Sequence, residues 1–241
     1  MSSFKSYVLR QQFDPGLLGI FINPFYTERS QLIRTLRALA PQIRGRMLDV
    51  GCGHRPYERV FSGTTSSVGM EYDSPKNRDR FKNIDVWYQG GKFPLEDASF
   101  DSVVMTEVLE HVFEPDMILS EANRVLKQGG ALLLSAPFAW DEHEKPYDYA
   151  RYSSFGLKHL LTSHGFEIVS HTKTATDVRV LFQLAACYVH KKLSWIRPYN
   201  PRMILYILLI SPLTITGIIL SWILPKNEDL YIENIFLARK K

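Results

Sequence analysis

With 241 residues, 45% of them hydrophobic and 22% charged, the chain is long enough to bury a large core and too apolar to be disordered. Its only cysteines are Cys52 and Cys187, which argues against a disulfide framework or a four-ligand zinc site and suits a reducing, cytoplasmic setting. The net charge of +4 divides unevenly, with seven basic and two acidic residues in 1–46, thirteen and nineteen in 47–174, and nine and four in 175–241. An acidic middle between basic ends argues against a nucleic-acid-binding centre and for flanks that meet an anionic surface.

The opening MSSFKSYVLRQQFDPG contains no apolar run of signal-peptide length. TERSQLIRTLRALAPQI (27–43) predicts a helix with Thr27 as its cap. RMLDV (46–50) reads as a first strand, SSVGMEY (66–72) as a second and NIDVWY (83–88) as a weaker third. FDSVVMT (100–106) and GGALLLSAP (129–137) are near-continuous apolar runs, as buried parallel strands are. Between them, DMILSEANRVL (116–126) places its apolar residues at helical spacing, with Gly129 and Gly130 expected to stop it. GLKHLLTSHGF (156–166) predicts another helix ending at a glycine, and a strand follows in EIVSHTKT (167–174). Strands alternating with helices imply a mostly parallel α/β sheet.

Asp49-Val50-Gly51-Cys52-Gly53 falls where the first strand is expected to turn into a helix. Glycines there let the backbone approach a ligand, and a following helix N-terminus offers free N–H groups. Twenty residues beyond Gly51, Glu71 ends the second strand, where a carboxylate accepts hydrogen bonds from both hydroxyls of a ribose. A glycine turn alone is equally a tight connection; the acid at this spacing is what points to a nucleoside. A dinucleotide fingerprint needs a third glycine where His54-Arg55-Pro56 stand. That weakens a dehydrogenase reading without removing it, because Arg55 still suits an anion.

LDVGCGHRPYERVF (48–61), VGMEYD (68–73), FPLEDASFDSVVMTEVLEHV (93–112) and EANRVLKQGGALLLSAPF (121–138) stand in a linked order. On these motifs the chain resembles the class I S-adenosylmethionine-dependent methyltransferases, in particular their small-molecule group with a short core domain. The resemblance covers residues 27–174 and a final strand at 230–239. It implies an α/β, Rossmann-like seven-stranded sheet whose last strand runs antiparallel, with S-adenosylmethionine across the ends of the first strands. The chain then divides into an N-terminal helical cap in 1–45, a core in 46–174, a hydrophobic helical insert in 175–229, read from its uncharged run, and a last core strand in 230–241. By position, Asp49, Gly51, Cys52 and Gly53 would hold the methionine and ribose part, Glu71 the ribose hydroxyls and Tyr72 the adenine, with Thr106 in the same cofactor site. Where the family has an acid for the adenine amino group this chain has Gln89, whose amide oxygen can still accept that bond. Alternatively Gln89 is solvated and neighbouring backbone holds the adenine.

Methyl transfer from a sulfonium is an in-line displacement, so an enzyme chiefly aligns nucleophile and methyl and excludes water. A base is needed only for a hydroxyl or a protonated amine. Glu107, Glu110 and His111 follow the fourth strand, and His143, Tyr147, Asp148, Arg151 and Tyr152 lie in DEHEKPYDYARY (141–152) after the fifth. His111 and His143 are the candidate bases, and Tyr147, Asp148, Arg151 and Tyr152 the candidate acceptor-binding residues. His111 also reads as a turn-capping structural histidine, the favoured alternative, and His143 as a solvated side chain. His159, His164, His171 and His190 read as structural. The expected acceptor offers an oxygen, less readily a carbon or nitrogen, and is small or lipid-linked; no metal is expected. The rival reading is a non-catalytic scaffold that keeps the fold, with Gln89 as a sign of decay.

Residues 203–224, MILYILLISPLTITGIILSWIL, carry no charge and have the length of a membrane span, interrupted by Pro212 and Gly217. Lys191, Lys192, Arg197 and Arg202 with Trp195 and Tyr199 precede them as a membrane-interface anchor would. A single crossing would separate the last two strands. The segment therefore reads as a helical insert returning to the same side, beginning with an amphipathic helix at 178–193 and making peripheral membrane contact through 176–228. Otherwise it packs on the domain or forms a homodimer interface. Cys187 reads as a small core residue.

Overall fold

The structure, a computed structural model, describes residue 7, residues 10–196 and residues 199–241, with residues 199 and 200 described in their backbone only. Arg197, expected in the interface anchor, lies outside the described residues. Thr35–Phe138, Glu142–Thr172 and Asn234–Lys241 form one compact unit; the described part of Met1–Arg34 with Ala139–Asp141 and Lys173–Glu233 forms a second.

Seven strands build one sheet: β1 (Gly45–Val50), β2 (Thr64–Tyr72), β3 (Val86–Tyr88), β4 (Phe100–Thr106), β5 (Leu126–Pro137), β6 (Phe166–Thr174) and β7 (Glu233–Lys240). Their order is β3-β2-β1-β4-β5-β7-β6. β1 is parallel to both neighbours, with Asp49 opposite Gly69 of β2 and Val104 of β4. β7 runs antiparallel. Ile232 N–H donates to the Thr174 carbonyl at 3.1 Å and Lys241 N–H to that of Gly165 at 3.0 Å, so the two partners advance in opposite directions. The seven-stranded sheet expected from the resemblance is thus present. β4 is buried on both faces, as its unbroken apolar run requires: Ser102, Val103, Val104 and Met105 are all 1% exposed or less.

The helices of the sheet unit are the end of α1 (Tyr26–Leu39), α2 (Pro75–Arg80), α3 (Pro115–Val125) and α4 (Ser154–Ser163). Leu119, Ala122 and Val125 of α3 and Leu157 and Leu161 of α4 join Leu48, Val103, Leu132 and Leu134 of the strands in one core. Ser153 caps α4 by accepting from Gly156 N–H at 3.2 Å, and Gly165, at φ 78°, ends it as expected.

Two helix boundaries differ from the sequence reading. Thr27 lies inside α1, and the free N–H groups of Thr27 and Glu28 instead donate to Oε1 of Gln183, at 3.1 and 3.4 Å. α3 stops at Val125, before Gly129 and Gly130, because Leu126 is already extended at the start of β5. Lys240 satisfies the carbonyls left there, donating to Asn123 at 2.6 Å and Leu126 at 2.8 Å.

In the second unit, α5 (Arg179–Leu193) precedes α6 (Tyr199–Leu205), a π turn at Tyr206–Ile210 and α7 (Ser211–Ile223). Pro212 does not break the helix. Its missing N–H removes one rung, and the widened turn just before it absorbs the defect. Residues Pro201–Ile223 thus form the one helix, among the described residues, long and apolar enough to cross a membrane, with only 28% of its most apolar window buried. Gly217 lies against Phe182 so closely that a Cβ there would stand 2.7 Å from the Phe182 Cβ. Ala186 of α5 packs with Tyr206 and Ile210, and the Tyr206 hydroxyl meets His190 Nδ1 at 2.6 Å. The buried residues of α7 are Ser211, Thr214, Gly217 and Ser221, whereas Ile215, Ile219, Trp222 and Ile223 are exposed. This helix buries its small and polar face and presents its large apolar one. Cys187 is buried at 3% exposure, as a core residue should be.

Candidate active site

The turn after β1 folds back on β2. Gly51 and Gly53 take φ values of 66° and 51°, where a side chain is strained, and a Cβ on Gly51 would stand 2.5 Å from Val108 Cγ2. Gly51 and Cys52 N–H groups donate to the Met70 carbonyl at 2.8 and 3.2 Å. Gly53 N–H donates to Glu71 Oε2 at 2.9 Å, and Tyr72 N–H and Asn77 Nδ2 donate to Glu71 Oε1 at 3.0 and 3.4 Å. A carboxylate offers about four acceptor positions, so Glu71 keeps room for a hydroxyl donor. Burial raises its pKa, and the Gly53 and Tyr72 N–H groups oppose that rise.

Asp49 is 9% exposed at the end of β1. Burial pushes its carboxyl up to about 7; Arg55 opposes this, and Glu58 and Glu71 add to it. Burial likewise pushes the Cys52 thiol up to about 12, leaving it an unreactive lining residue. Arg55 pairs with Asp85, which also accepts from Gly69 N–H at 2.8 Å. The guanidinium lies where a Gly69 Cβ would be, so it is committed to this pair rather than to a phosphate. Asp85 and Asn77 carry no sequence signal of this role; their positions matter only once β2 and α2 are folded.

Tyr72 is exposed and meets Tyr88 edge-to-face at 6.0 Å between ring centroids. Gln89 is exposed and hydrogen-bonds the Asp73 carboxylate, which holds the amide nitrogen and leaves the oxygen as acceptor. Thr106 is half-buried at the carboxyl end of β4.

At the same edge, the 3-10 turn Leu109–His111 turns Leu109 and Glu110 inward. Glu110 is fully buried, and among the described residues neither carboxylate oxygen has a hydrogen-bond partner. Its Oε1 lies 3.7 Å from His111 Nε2 and 3.9 Å from His143 Nε2. The two imidazoles meet edge-to-face at 4.7 Å. Burial raises the Glu110 pKa well above the usual carboxylate range, with Glu107 adding to it and Arg151 opposing. Burial lowers that of His111, the Tyr147 carbonyl opposing. A carbonyl only accepts, so His111 donates from Nδ1 to Tyr147 at 2.6 Å and keeps Nε2 as the acceptor.

The 141–152 loop is pinned. Asp148 grips Arg151 through two bonds of 2.6 and 2.7 Å and accepts from His143 N–H at 2.8 Å. Burial raises the Asp148 carboxyl, but these donors prevail and hold it at about 2. Tyr149 N–H donates to the Glu110 carbonyl at 2.8 Å. Glu144 accepts from Lys76 and Arg80 of α2, each at 2.8 Å. Tyr147 is 53% exposed, while Tyr152 turns inward on the core with its hydroxyl 3.5 Å from the Leu109 carbonyl. The structure therefore brings His111 and His143 onto Glu110, pairs Asp148 with Arg151, and leaves Tyr147 facing solvent. His164 and His171 have structural partners, the Leu160 carbonyl and Asn234, and His190 has Tyr206.

A family model described as "Methyltransferase domain" matches residues 26–171. The chain is 31% identical over 162 residues to a Mycolicibacterium smegmatis protein named "Probable S-adenosylmethionine-dependent methyltransferase", covering 62% of each chain. It is 36% identical over 95 residues to a demethylmenaquinone methyltransferase of Tropheryma whipplei, covering 36% of this chain and 40% of that one. The chain thus spans less than two thirds of the length of these relatives. Among solved structures, Haemonchus contortus phosphoethanolamine N-methyltransferase 2, in complex with phosphomonomethylethanolamine and S-adenosylhomocysteine, superposes with a TM-score of 0.54 at 18% identity, over 97% of this chain and 57% of that one. That likeness is one of fold. The family match over more than half the chain, the strand order and the glycine turn joined to Glu71 agree, and the chain belongs to the class I S-adenosylmethionine-dependent methyltransferase family.

Proposed function

We propose that the protein transfers a methyl group from S-adenosylmethionine to an oxygen of a small or lipid-linked acceptor while held at a membrane surface. The bond from Gly53 to Glu71 carries the cofactor half of this reading, because it joins the glycine turn and the ribose-binding acid into one site. Bound there, the cofactor supplies an electrophilic methyl on a sulfonium. Asp49, Gly51, Cys52 and Gly53 would line its methionine and ribose side, and Glu71 would accept from a ribose hydroxyl. Tyr72 would flank the adenine, Gln89 would offer it an amide oxygen, and Thr106, at the end of β4, would belong to the same cofactor site.

The acceptor half rests on the imidazoles around Glu110. A hydroxyl gives up its proton as it attacks, which a neutral imidazole near physiological pH can take. His111, its pKa lowered by burial and its Nε2 an acceptor, suits that role, with His143 beside it. Tyr147 offers the acceptor an exposed phenol, and the Asp148–Arg151 pair with Tyr152 holds the loop in shape. The Tropheryma whipplei relative, whose name specifies a demethylated menaquinone, supports a lipid-linked acceptor.

The membrane half is supported by the exposed apolar face of Pro201–Ile223 and by the basic excess of 175–241. Burying one leucine or isoleucine contributes about 1.5–3 kcal/mol, and each basic residue at an anionic surface about 1 kcal/mol. Incubating the protein with methyl-labelled cofactor and extracted lipids and small metabolites tests the whole reading. Label in an alkali-stable methyl ether supports it. Label confined to amines overturns the choice of oxygen, and absence of both cofactor binding and label would make the protein a scaffold.

A further inference from the structure

Three atoms able to ligate a cation converge at the carboxyl edge of β4. Glu110 Oε1 is buried and unpartnered, and it faces His111 Nε2 at 3.7 Å and His143 Nε2 at 3.9 Å. All three atoms lie within 4.8 Å of one another. Each ring is turned by its other nitrogen. His111 Nδ1 donates to the Tyr147 carbonyl, and His143 Nδ1 lies 3.4 Å from Asp148 Oδ2, an atom that only accepts. His111 Nε2 therefore directs a lone pair toward the Glu110 carboxyl, and His143 Nε2 stands on the same oxygen from the other ring. Such a set repels itself unless a proton or a cation sits inside it.

We infer that Glu110 Oε1, His111 Nε2 and His143 Nε2 bind one divalent transition-metal ion. Two imidazoles and one carboxylate suit zinc, iron or manganese and not magnesium or calcium, which take oxygen ligands. Ligands about 2.1 Å from a shared ion stand about 3.0–3.5 Å apart, so closing the observed gaps requires each side chain to move by about half an ångström. The surroundings have the outer layer such ions need. Metal-bound imidazoles pass their remaining N–H to a backbone carbonyl or a carboxylate, which Tyr147 and Asp148 provide here. Asp148 is in turn fixed by Arg151, so the chain from Arg151 through Asp148 to His143 sets the direction of that ligand.

Three protein ligands leave at least one position open. With the ion bound, His111 Nε2 is a ligand and no longer takes the proton; an acceptor oxygen in the open position would be oriented by the ion and would release its proton to water more readily, as water does on zinc. That role rests on the transferase reading above; the binding of the ion does not.

The test uses full-length protein stripped with a chelator and titrated with Co²⁺, whose visible absorption reports nitrogen and carboxylate ligation. One equivalent should bind with a visible band and be displaced by Zn²⁺. His143→Ala, at a partly exposed position, should weaken binding at least about 10-fold, as should Glu110→Gln, and Asp148→Asn about 10- to 100-fold through loss of orientation. Circular dichroism and S-adenosylmethionine titration on each variant show that it is folded; if Glu110→Gln does not fold, His143→Ala decides. Wild-type protein that takes up no Co²⁺, or takes it up no better than His143→Ala, overturns the site and leaves a proton as its occupant. Because no cofactor is needed for the metal titration, loss of cofactor binding alone would count against the transferase reading only.

Discussion

Gly53 and Glu71, eighteen residues apart, are joined by a hydrogen bond of 2.9 Å from the N–H of one to Oε2 of the other. The glycine turn and the acid at the end of β2 therefore act together: a ligand reaching one meets the other. Glu71→Ala should weaken S-adenosylmethionine binding about 10- to 100-fold, the worth of one bond to a charged acceptor. Glu71→Gln, which keeps one acceptor oxygen, should lose less. Calorimetry returning wild-type affinity for the alanine variant would exclude this role.

Gly51→Ala meets two penalties at once. The φ of 66° costs a side chain about 1–2 kcal/mol, and the 2.5 Å approach to Val108 Cγ2 adds an overpacking cost of about 1–3 kcal/mol. The variant should melt several degrees below wild type and bind the cofactor poorly. Val108→Ala should recover part of the melting temperature by removing the obstructing methyl. A double variant no more stable than Gly51→Ala would mean that Val108 is not the obstacle.

Asp49 makes stability depend on pH in a direction opposite to that of a salt-bridged acid. Its folded pKa, about 7, is above the ordinary value, so folding favours its neutral form. That contribution is complete below about pH 4 and is lost as pH rises through about 7, a change on the order of 4 kcal/mol. Asp49→Asn stays neutral throughout and should gain on the wild type between pH 5 and pH 8. Chemical denaturation at the two values reads the difference; a variant that loses ground over that interval contradicts the assignment.

Leu208 and Ile219, 62% and 45% exposed, lie in the helix Pro201–Ile223. Replacing both by Glu should abolish co-sedimentation with anionic vesicles and leave cofactor affinity unchanged. Wild-type protein that stays in the supernatant but elutes as a dimer would assign the same face to a second copy of the chain.

Much of the sheet is legible in the sequence because its signals are local. FDSVVMT is β4 residue for residue, and the glycine turn needs only its own glycines to be recognised. What is not legible depends on contacts from afar. The cap of α1 comes from Gln183, 156 residues beyond Thr27, and the end of α3 is held by Lys240, 117 residues beyond Asn123. Glu107 and Glu110 look alike in TEVLEHV. Only the 3-10 turn at Leu109–His111 decides that Glu110 is the one buried between two histidines. His143 shows the same limit: its charged neighbours suggest a solvated loop, yet Asp148 and Glu110 lie on either side of its ring.

The strand order constrains how the protein is made. β7 lies between β5 and β6 but follows the insert in the chain, so on the ribosome the gap beside β5 cannot be filled until residues 175–229 have emerged. A nascent chain grows at about 5–20 residues per second, which leaves the apolar helices outside the tunnel for seconds beside an unfinished sheet edge. During that interval they must find each other, a chaperone or a lipid surface, and the membrane contact proposed for the mature enzyme would also protect it at its birth.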